Sequence, residues 1–144
     1  MAGCAHERFL PGTTIPATDE NLNIIETIEL YRARLIEKNI DGLLLLASNK
    51  YFEDGGTPQA NDDYGYDGLR AILTKRLSRV QSLRYDIEYQ RLSVKGERAE
   101  VDVFLNGAFE LQSDTGERYR RVNDRHRFIL ERHNGNKWRF LNGM

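Results

Sequence analysis

The stretch Leu83–Gln90, written LRYDIEYQ, decides the fold because its apolar and polar residues alternate. A period of two is typical of a half-buried β-strand. One face would carry the apolar residues Leu83, Tyr85, Ile87 and Tyr89. The apolar phase then slips at Leu92, which predicts a β-bulge near Gln90 and Arg91.

More strands follow along the chain. Lys95-Gly96 predicts a turn, and the next apolar row keeps one phase. That row consists of Ala99, Val101, Val103, Leu105, Phe109 and Leu111. A third long strand is predicted over 117–133, where Asn134-Gly135 signals a hairpin into a last strand at 137–141. Together these segments predict an antiparallel meander.

The segments before this meander read mainly as helices. Thr18 is a capping residue for a helix over 19–38. Its apolar stripe is Ile24, Ile28, Tyr31 and Leu35. Asp41 and Asp67 would cap a second helix at 42–47 and a third helix with a buried face of Leu69, Ile72, Leu73, Leu77 and Val80. The stretch 50–54 (KYFED) predicts a short strand, and 55–66 predicts a loop.

The predicted order is α-α-β-α-β-β-β-β, which indicates an α+β fold with its N-terminal helices packed on one concave face of a curved sheet. We expect one domain over 18–144, preceded by an extended arm over 1–17.

Composition excludes several classes of protein. Lys+Arg is 21 and Asp+Glu is 22 over 144 residues, so no positive excess predicts nucleic-acid binding. No apolar run approaches the ~20 residues that span a bilayer. One cysteine forms no intrachain disulfide and no multi-cysteine metal site. We expect no metal and no cofactor, and we interpret Asp54, Asp62, Asp63 and Asp67 as acids around a solvated loop.

Cys4 follows Ala2 and Gly3, and this string resembles the end of a bacterial lipoprotein signal. Two interpretations stay open: a lipidated cysteine at the cell envelope, or an exposed thiol in a cytoplasmic protein. Membrane contact is expected only through lipidation at Cys4.

The third long strand contains the polar residues that most need an explanation. Its even-numbered residues, which share one face of the strand, are Val122, Asp124, His126, Phe128 and Leu130. Because most of them are apolar, Asp124 and His126 should point to the core side. Burying a carboxylate without partners costs several kcal/mol. The row therefore indicates either a structural Asp–His pair or a polar pocket.

Other candidate residues converge on the same side. Asp54 should share a strand face with Phe52, and Tyr31 lies on the apolar stripe of the first helix. Tyr64 and Tyr66 would cover the pocket mouth. We expect the ligand to contact Phe52, Tyr64, Tyr66, Phe128 and Trp138.

Three segments resemble ketosteroid isomerases of the nuclear transport factor 2-like superfamily. They are Tyr31 in LYRA with the following IDGL, Phe52-Glu53-Asp54 before the Gly-rich loop, and Asp124 in DRHRF. The resemblance covers residues 19–141 and implies a cone-shaped α+β fold with a pocket between sheet and helices.

The resemblance also implies roles: Asp54 as general base, with Tyr31 and a protonated Asp124 as hydrogen-bond donors to a developing oxyanion. His126 departs from this pattern, because a nearby imidazolium would keep Asp124 ionised.

The sequence is compatible with several functions. The first is an acid/base isomerase or dehydratase acting on a small, apolar, carbonyl-bearing molecule. The second is a non-catalytic module that holds such a ligand, and the third is an assembly domain. We expect a homodimer formed through the open sheet face.

Overall fold

The computed structural model describes residues 8–53, 64–113 and 116–144. Within them, helices pack on one face of an antiparallel sheet, which confirms the predicted α+β class. The helices are α1 (Asp19–Ile36), α2 (Ile40–Leu44) and α3 (Tyr66–Leu77). The strands are β1 (Phe52–Glu53), β2 (Tyr64–Gly65), β3 (Val80–Lys95), β4 (Arg98–Ser113), β5 (Gly116–His133) and β6 (Lys137–Asn142).

The sheet is an antiparallel meander with the strand order β3-β4-β5-β6. A register shift between Tyr89 and Arg91 confirms the predicted bulge. Asn134 and Gly135 both have positive φ, 49° and 77°, in the turn between β5 and β6. Asparagine and glycine tolerate this conformation best, so the hairpin forms where the sequence predicted it.

The core lies between α1 and the concave face of the sheet. All four residues of the predicted α1 stripe are buried. The facing row of β5 starts to be buried at Phe128, which pairs with Val101, and continues to Leu130, which pairs with Ala99. The apolar stripe of α1 and the buried row of β5 therefore pack together in one apolar layer.

The helix starts differ from the predicted caps in two places. Thr18 caps α1 as expected, since its hydroxyl accepts from the Asn21 N–H at 3.1 Å. Asn39, not Asp41, caps α2 by accepting from the Gly42 N–H at 2.9 Å. Gly65, not Asp67, precedes α3, because Gly65 still pairs with Phe52 in the β1–β2 ladder.

In the KYFED segment Tyr51 and Glu53 share a side, as predicted, since the Tyr51 hydroxyl donates to Glu53. Tyr51 is buried and Phe52 is 52% exposed, so Phe52 does not face the core side, where we expected it to meet a ligand. The reason is non-local: Tyr51 packs against the Gly143–Met144 segment and against Tyr64. A two-residue strand carries too short an alternation to determine which face is inside.

The residues ahead of α1 fold back on themselves. Phe9 and Pro16 form an isolated antiparallel bridge, and Ile15 is buried. Among the described helices, none is long and apolar enough to cross a membrane.

Candidate functional site

A cavity of about 670 Å³ opens between α1, α3 and the concave face of the sheet. This volume falls within the usual range of small-molecule sites. Its apolar wall consists of Leu35, Leu73, Leu77, Val80, Phe109, Leu111, Val122 and Met144. Its polar lining consists of Tyr31, Tyr85, Arg76, Arg120, Arg121, Asn123 and Asp124.

Tyr31 and Tyr85 form the buried polar part of this lining. Tyr31 lies on α1 and Tyr85 on β3, with ring centroids 6.3 Å apart in an edge-to-face arrangement. Burial raises the pKa of Tyr31 well above its usual value, and the neighbouring Tyr85 phenol adds to this. Burial also raises the pKa of Tyr85, to about 12. Both phenols therefore remain neutral hydrogen-bond donors at physiological pH.

Asp124 lies on the predicted face of β5, but the prediction that it is buried was wrong. It pairs with the buried Leu105, which places both side chains on the concave face. The helices do not cover this part of the strand, so Asp124 is exposed at the cavity wall. Its Oδ1 accepts from the Arg125 N–H at 2.8 Å. A carboxylic acid that donates a hydrogen bond to an oxyanion needs apolar surroundings that keep it protonated. Such surroundings are therefore missing around Asp124.

His126 is half-buried on the same row, and its hydrogen-bond partner is not Asp124, the partner that the sequence suggested. Its Nε2 lies 2.7 Å from the Gly143 carbonyl oxygen. Because a carbonyl only accepts, Nε2 carries the proton in this contact. Among the described residues, His126 and Asp124 form no ion pair. His126 thus anchors the segment that places Met144 on the cavity wall.

A polar network joins the same segment to β1. Glu53 Oε1 accepts from the Tyr51 hydroxyl at 2.8 Å and from the Gly143 N–H at 2.7 Å. The Tyr51 hydroxyl in turn accepts from the Met144 N–H at 2.9 Å. Burial, followed by the charge of Glu53, raises the pKa of Tyr51. Glu53 was not among the sequence candidates, although it immediately precedes Asp54.

Tyr64 extends this network toward the cavity. Its ring stacks on Tyr51 with centroids 6.4 Å apart, and its hydroxyl accepts from Arg76 at 3.4 Å. Burial raises the pKa of Tyr64, while the charge of Arg76 acts against that shift. Tyr64 therefore contacts a cavity residue.

The other candidates lie elsewhere. Phe128 is fully buried beneath Tyr31, with centroids 5.6 Å apart. Tyr66 is exposed on the first turn of α3, and neither it nor Phe52 lines the cavity. Trp138 is buried under the Arg132 guanidinium, 4.6 Å from the ring centroid, away from the cavity. Asp54 lies outside the described residues, as do Asp62 and Asp63.

Sequence reasoning missed the cavity arginines and Tyr85. Tyr85 was visible as one member of the alternating row, but nothing local distinguishes it from a core residue. Arg76 follows Leu69 by seven residues and Leu73 by three, so helical spacing places it beside the buried face of α3. That spacing was the available signal for Arg76.

Comparison with known proteins gives structural neighbours only. No family model matches the sequence, and no curated protein matches it either. A candidate aromatic ring hydroxylase from Novosphingobium aromaticivorans is 18% identical, with a TM-score of 0.70 over 87% of this chain and 86% of that one. A candidate dehydratase of the NTF2-like family from Streptomyces avermitilis is 10% identical, with a TM-score of 0.66 over 86% and 93%.

A third neighbour is a ketosteroid isomerase-like protein from Erwinia carotovora atroseptica. It is 14% identical, with a TM-score of 0.66 over 85% of this chain and 91% of that one. At such identities the likeness concerns the fold, which hosts many functions. The chain has the nuclear transport factor 2-like fold.

Proposed function

We propose that this protein is an acid/base enzyme, an isomerase or dehydratase, acting on a small molecule with an apolar body and a carbonyl group. The observation that carries the proposal is the buried Tyr31–Tyr85 pair on the wall of a cavity large enough for such a ligand. Neighbours of the same fold that are described as dehydratase and ketosteroid isomerase-like support the reaction class.

The chemistry follows from what a neutral, pre-positioned phenol does. Removal of a proton from the carbon next to a carbonyl moves negative charge onto the carbonyl oxygen. A Tyr31 hydroxyl aimed at that oxygen stabilises the charge as it develops, and it needs little reorganisation in a water-poor site. Asp54 is our proposed base, in line with the resemblance to ketosteroid isomerases.

The proposal differs from the ketosteroid isomerase pattern at Asp124. Because this side chain is exposed, we assign the second donor role to Tyr85, which touches Tyr31 from β3. Asp124 then serves as a polar group at the wall.

A solvent-exchange experiment tests the proposal without knowledge of the natural substrate. The full chain is incubated with a panel of bicyclic ketones in D₂O, and deuterium uptake beside the carbonyl is followed by NMR. We expect Tyr31→Phe to slow exchange by about 10²-fold, the usual effect of losing one oxyanion donor. We expect Asp54→Asn to abolish exchange, with the far-ultraviolet circular dichroism unchanged.

The alternative is a non-catalytic binding module, which the positions of Asp124 and His126 favour, because one is solvated and the other is bonded to Gly143. Ketones that bind in the cavity without any exchange above the buffer rate would favour this alternative. Exchange that is unchanged in both Tyr31→Phe and Asp54→Asn would remove these residues from the mechanism.

A further inference from the structure

The charge of the cavity lining is one-sided. Among the described lining residues there are three arginines, Arg76, Arg120 and Arg121, and one carboxylate, Asp124. The chain as a whole is nearly neutral, with 21 basic and 22 acidic residues. An excess of guanidinium groups around one cavity is therefore a local feature.

These arginines lack carboxylate partners in the described part of the chain. Among the described residues, the only side-chain hydrogen bond of Arg76 is to the neutral Tyr64 hydroxyl, and no ion pair or hydrogen bond to them holds the side chains of Arg120 and Arg121. Arg127 and Arg132, on the same strand, behave differently: each forms an ion pair with a carboxylate at 2.7 Å. The cavity arginines thus have donors available for a ligand.

The three arginines come from two elements, Arg76 from α3 and both Arg120 and Arg121 from β5. Arg76 projects from α3, beside the buried Leu73 and Leu77. Arg120 pairs with Phe109 and shares the concave face with it. The charge of Arg76 also acts on the Tyr31 hydroxyl, lowering its pKa against the stronger effect of burial. An anion at Arg76 would therefore lie near the phenol pair.

We propose that the ligand of this cavity is a carboxylic acid with an apolar body, whose carboxylate is bound by Arg76 and Arg120, with Arg121 adding positive charge at the open edge. Planar guanidinium groups match a carboxylate with paired hydrogen bonds. The aliphatic and aromatic wall then holds the body of the ligand, and Tyr31 contacts a second oxygen. This inference rests on the proposed function and narrows its substrate from a carbonyl compound to an anionic one.

The test compares two probes that share a body and differ in charge, 2-naphthoate and 2-naphthamide. Binding of each to the full chain is measured by calorimetry, and the site is located by NMR shifts. We expect 2-naphthoate to bind about tenfold more tightly than 2-naphthamide, since hydrogen bonds to charged groups are the stronger ones. This preference should shrink as salt is added.

Variants identify the groups responsible. Arg76→Gln and Arg120→Gln should each remove most of the preference for 2-naphthoate and leave the affinity for 2-naphthamide unchanged. Arg118→Gln is the matched control, because Arg118 lies on the same strand and face as Arg120 but does not line the cavity. It should change neither affinity.

The outcomes separate this inference from the proposal beneath it. If 2-naphthamide binds in the cavity and 2-naphthoate binds no better, the ligand is not an anion, and the proposed function stands. An equal loss of preference in Arg118→Gln also overturns the inference, because it shows a diffuse charge effect. If neither probe binds in the cavity, both proposals fail.

Discussion

Gly143 has a backbone conformation that no other residue adopts easily at this position. Its φ is 103°, and a Cβ built there would lie 2.7 Å from the Arg127 carbonyl oxygen and 3.1 Å from the Phe128 Cα. Both contacts are with backbone, which cannot move aside cheaply. The close approach brings the Gly143 carbonyl to His126 and the Gly143 amide to Glu53.

We therefore expect Gly143→Ala to lower the free energy of unfolding by about 2–5 kcal/mol, combining strain at positive φ with overpacking. Urea denaturation measures this change. Gly135→Ala is the matched control, because Gly135 also has positive φ, 77°, but no atom lies within 4 Å of an added Cβ. Equal losses in the two variants would show that the close contact at Gly143 contributes nothing.

The candidate site was predictable at this scale only in part. Tyr31 was found because helical spacing marks the buried face of α1. Alternation gave the correct face for Asp124 and His126, but it does not tell how far the helices extend over a long strand. The exposure of Asp124 and the contact of His126 with Gly143 depend on packing between distant segments, which local periodicity does not encode.

At the scale of elements, α1 is attached to β3 by polar contacts as well as by the core. The Tyr89 hydroxyl donates to Glu29 Oε1 at 2.9 Å. Arg32 donates to the Tyr85 carbonyl and to Asp86 Oδ1, the latter at 3.1 Å. These contacts fix the helix that carries Tyr31 against the strand that carries Tyr85.

Tyr89→Phe removes one of these contacts with little change in packing. We expect the free energy of unfolding to fall by about 1–2 kcal/mol, the usual effect of losing a hydrogen bond to a charged group. Tyr119→Phe serves as control, since Tyr119 is 73% exposed and should change stability by less than about 0.5 kcal/mol. Thermal unfolding of both variants measures the difference, and equal values would contradict the proposed attachment.

The elements themselves were the most predictable part of the chain. The strands β3 to β6 and the bulge after Tyr89 were predicted correctly from alternation and turn residues, because these signals are local. The β1–β2 pair was harder. It joins Phe52 to Gly65 across an intervening segment, and two-residue strands hold too few positions to set a phase. A smaller error is that the α2 cap was predicted at Asp41 and lies at Asn39, because both residue types cap helices and they lie close together in the sequence.

At the scale of the whole molecule, tyrosine burial dominates the response to alkali. Folding raises the pKa of Tyr31, Tyr51, Tyr64, Tyr85 and Tyr89, mainly through burial. The folded state therefore binds these protons more tightly than the unfolded state does. Their contribution to stability is complete below about pH 10, the usual tyrosine pKa, and is lost as the pH rises toward the folded values.

We expect the tyrosinate absorbance of the folded protein to lag behind that of the protein in concentrated urea as the pH is raised past about 10. The free energy of unfolding should fall over the same range. Five of the seven tyrosines have raised pKa values, so most of the absorbance change should be delayed. Identical titration curves for the two states would show that these hydroxyls are not buried in solution.

The position of the single tryptophan has a practical consequence for spectroscopy. Trp138 is 3% exposed, lies under Arg132 and does not line the cavity. Its emission therefore reports on the β5–β6 hairpin and on global unfolding, with little response to what fills the cavity. A ligand that leaves the fluorescence unchanged has not thereby failed to bind, and binding is better followed through the tyrosines.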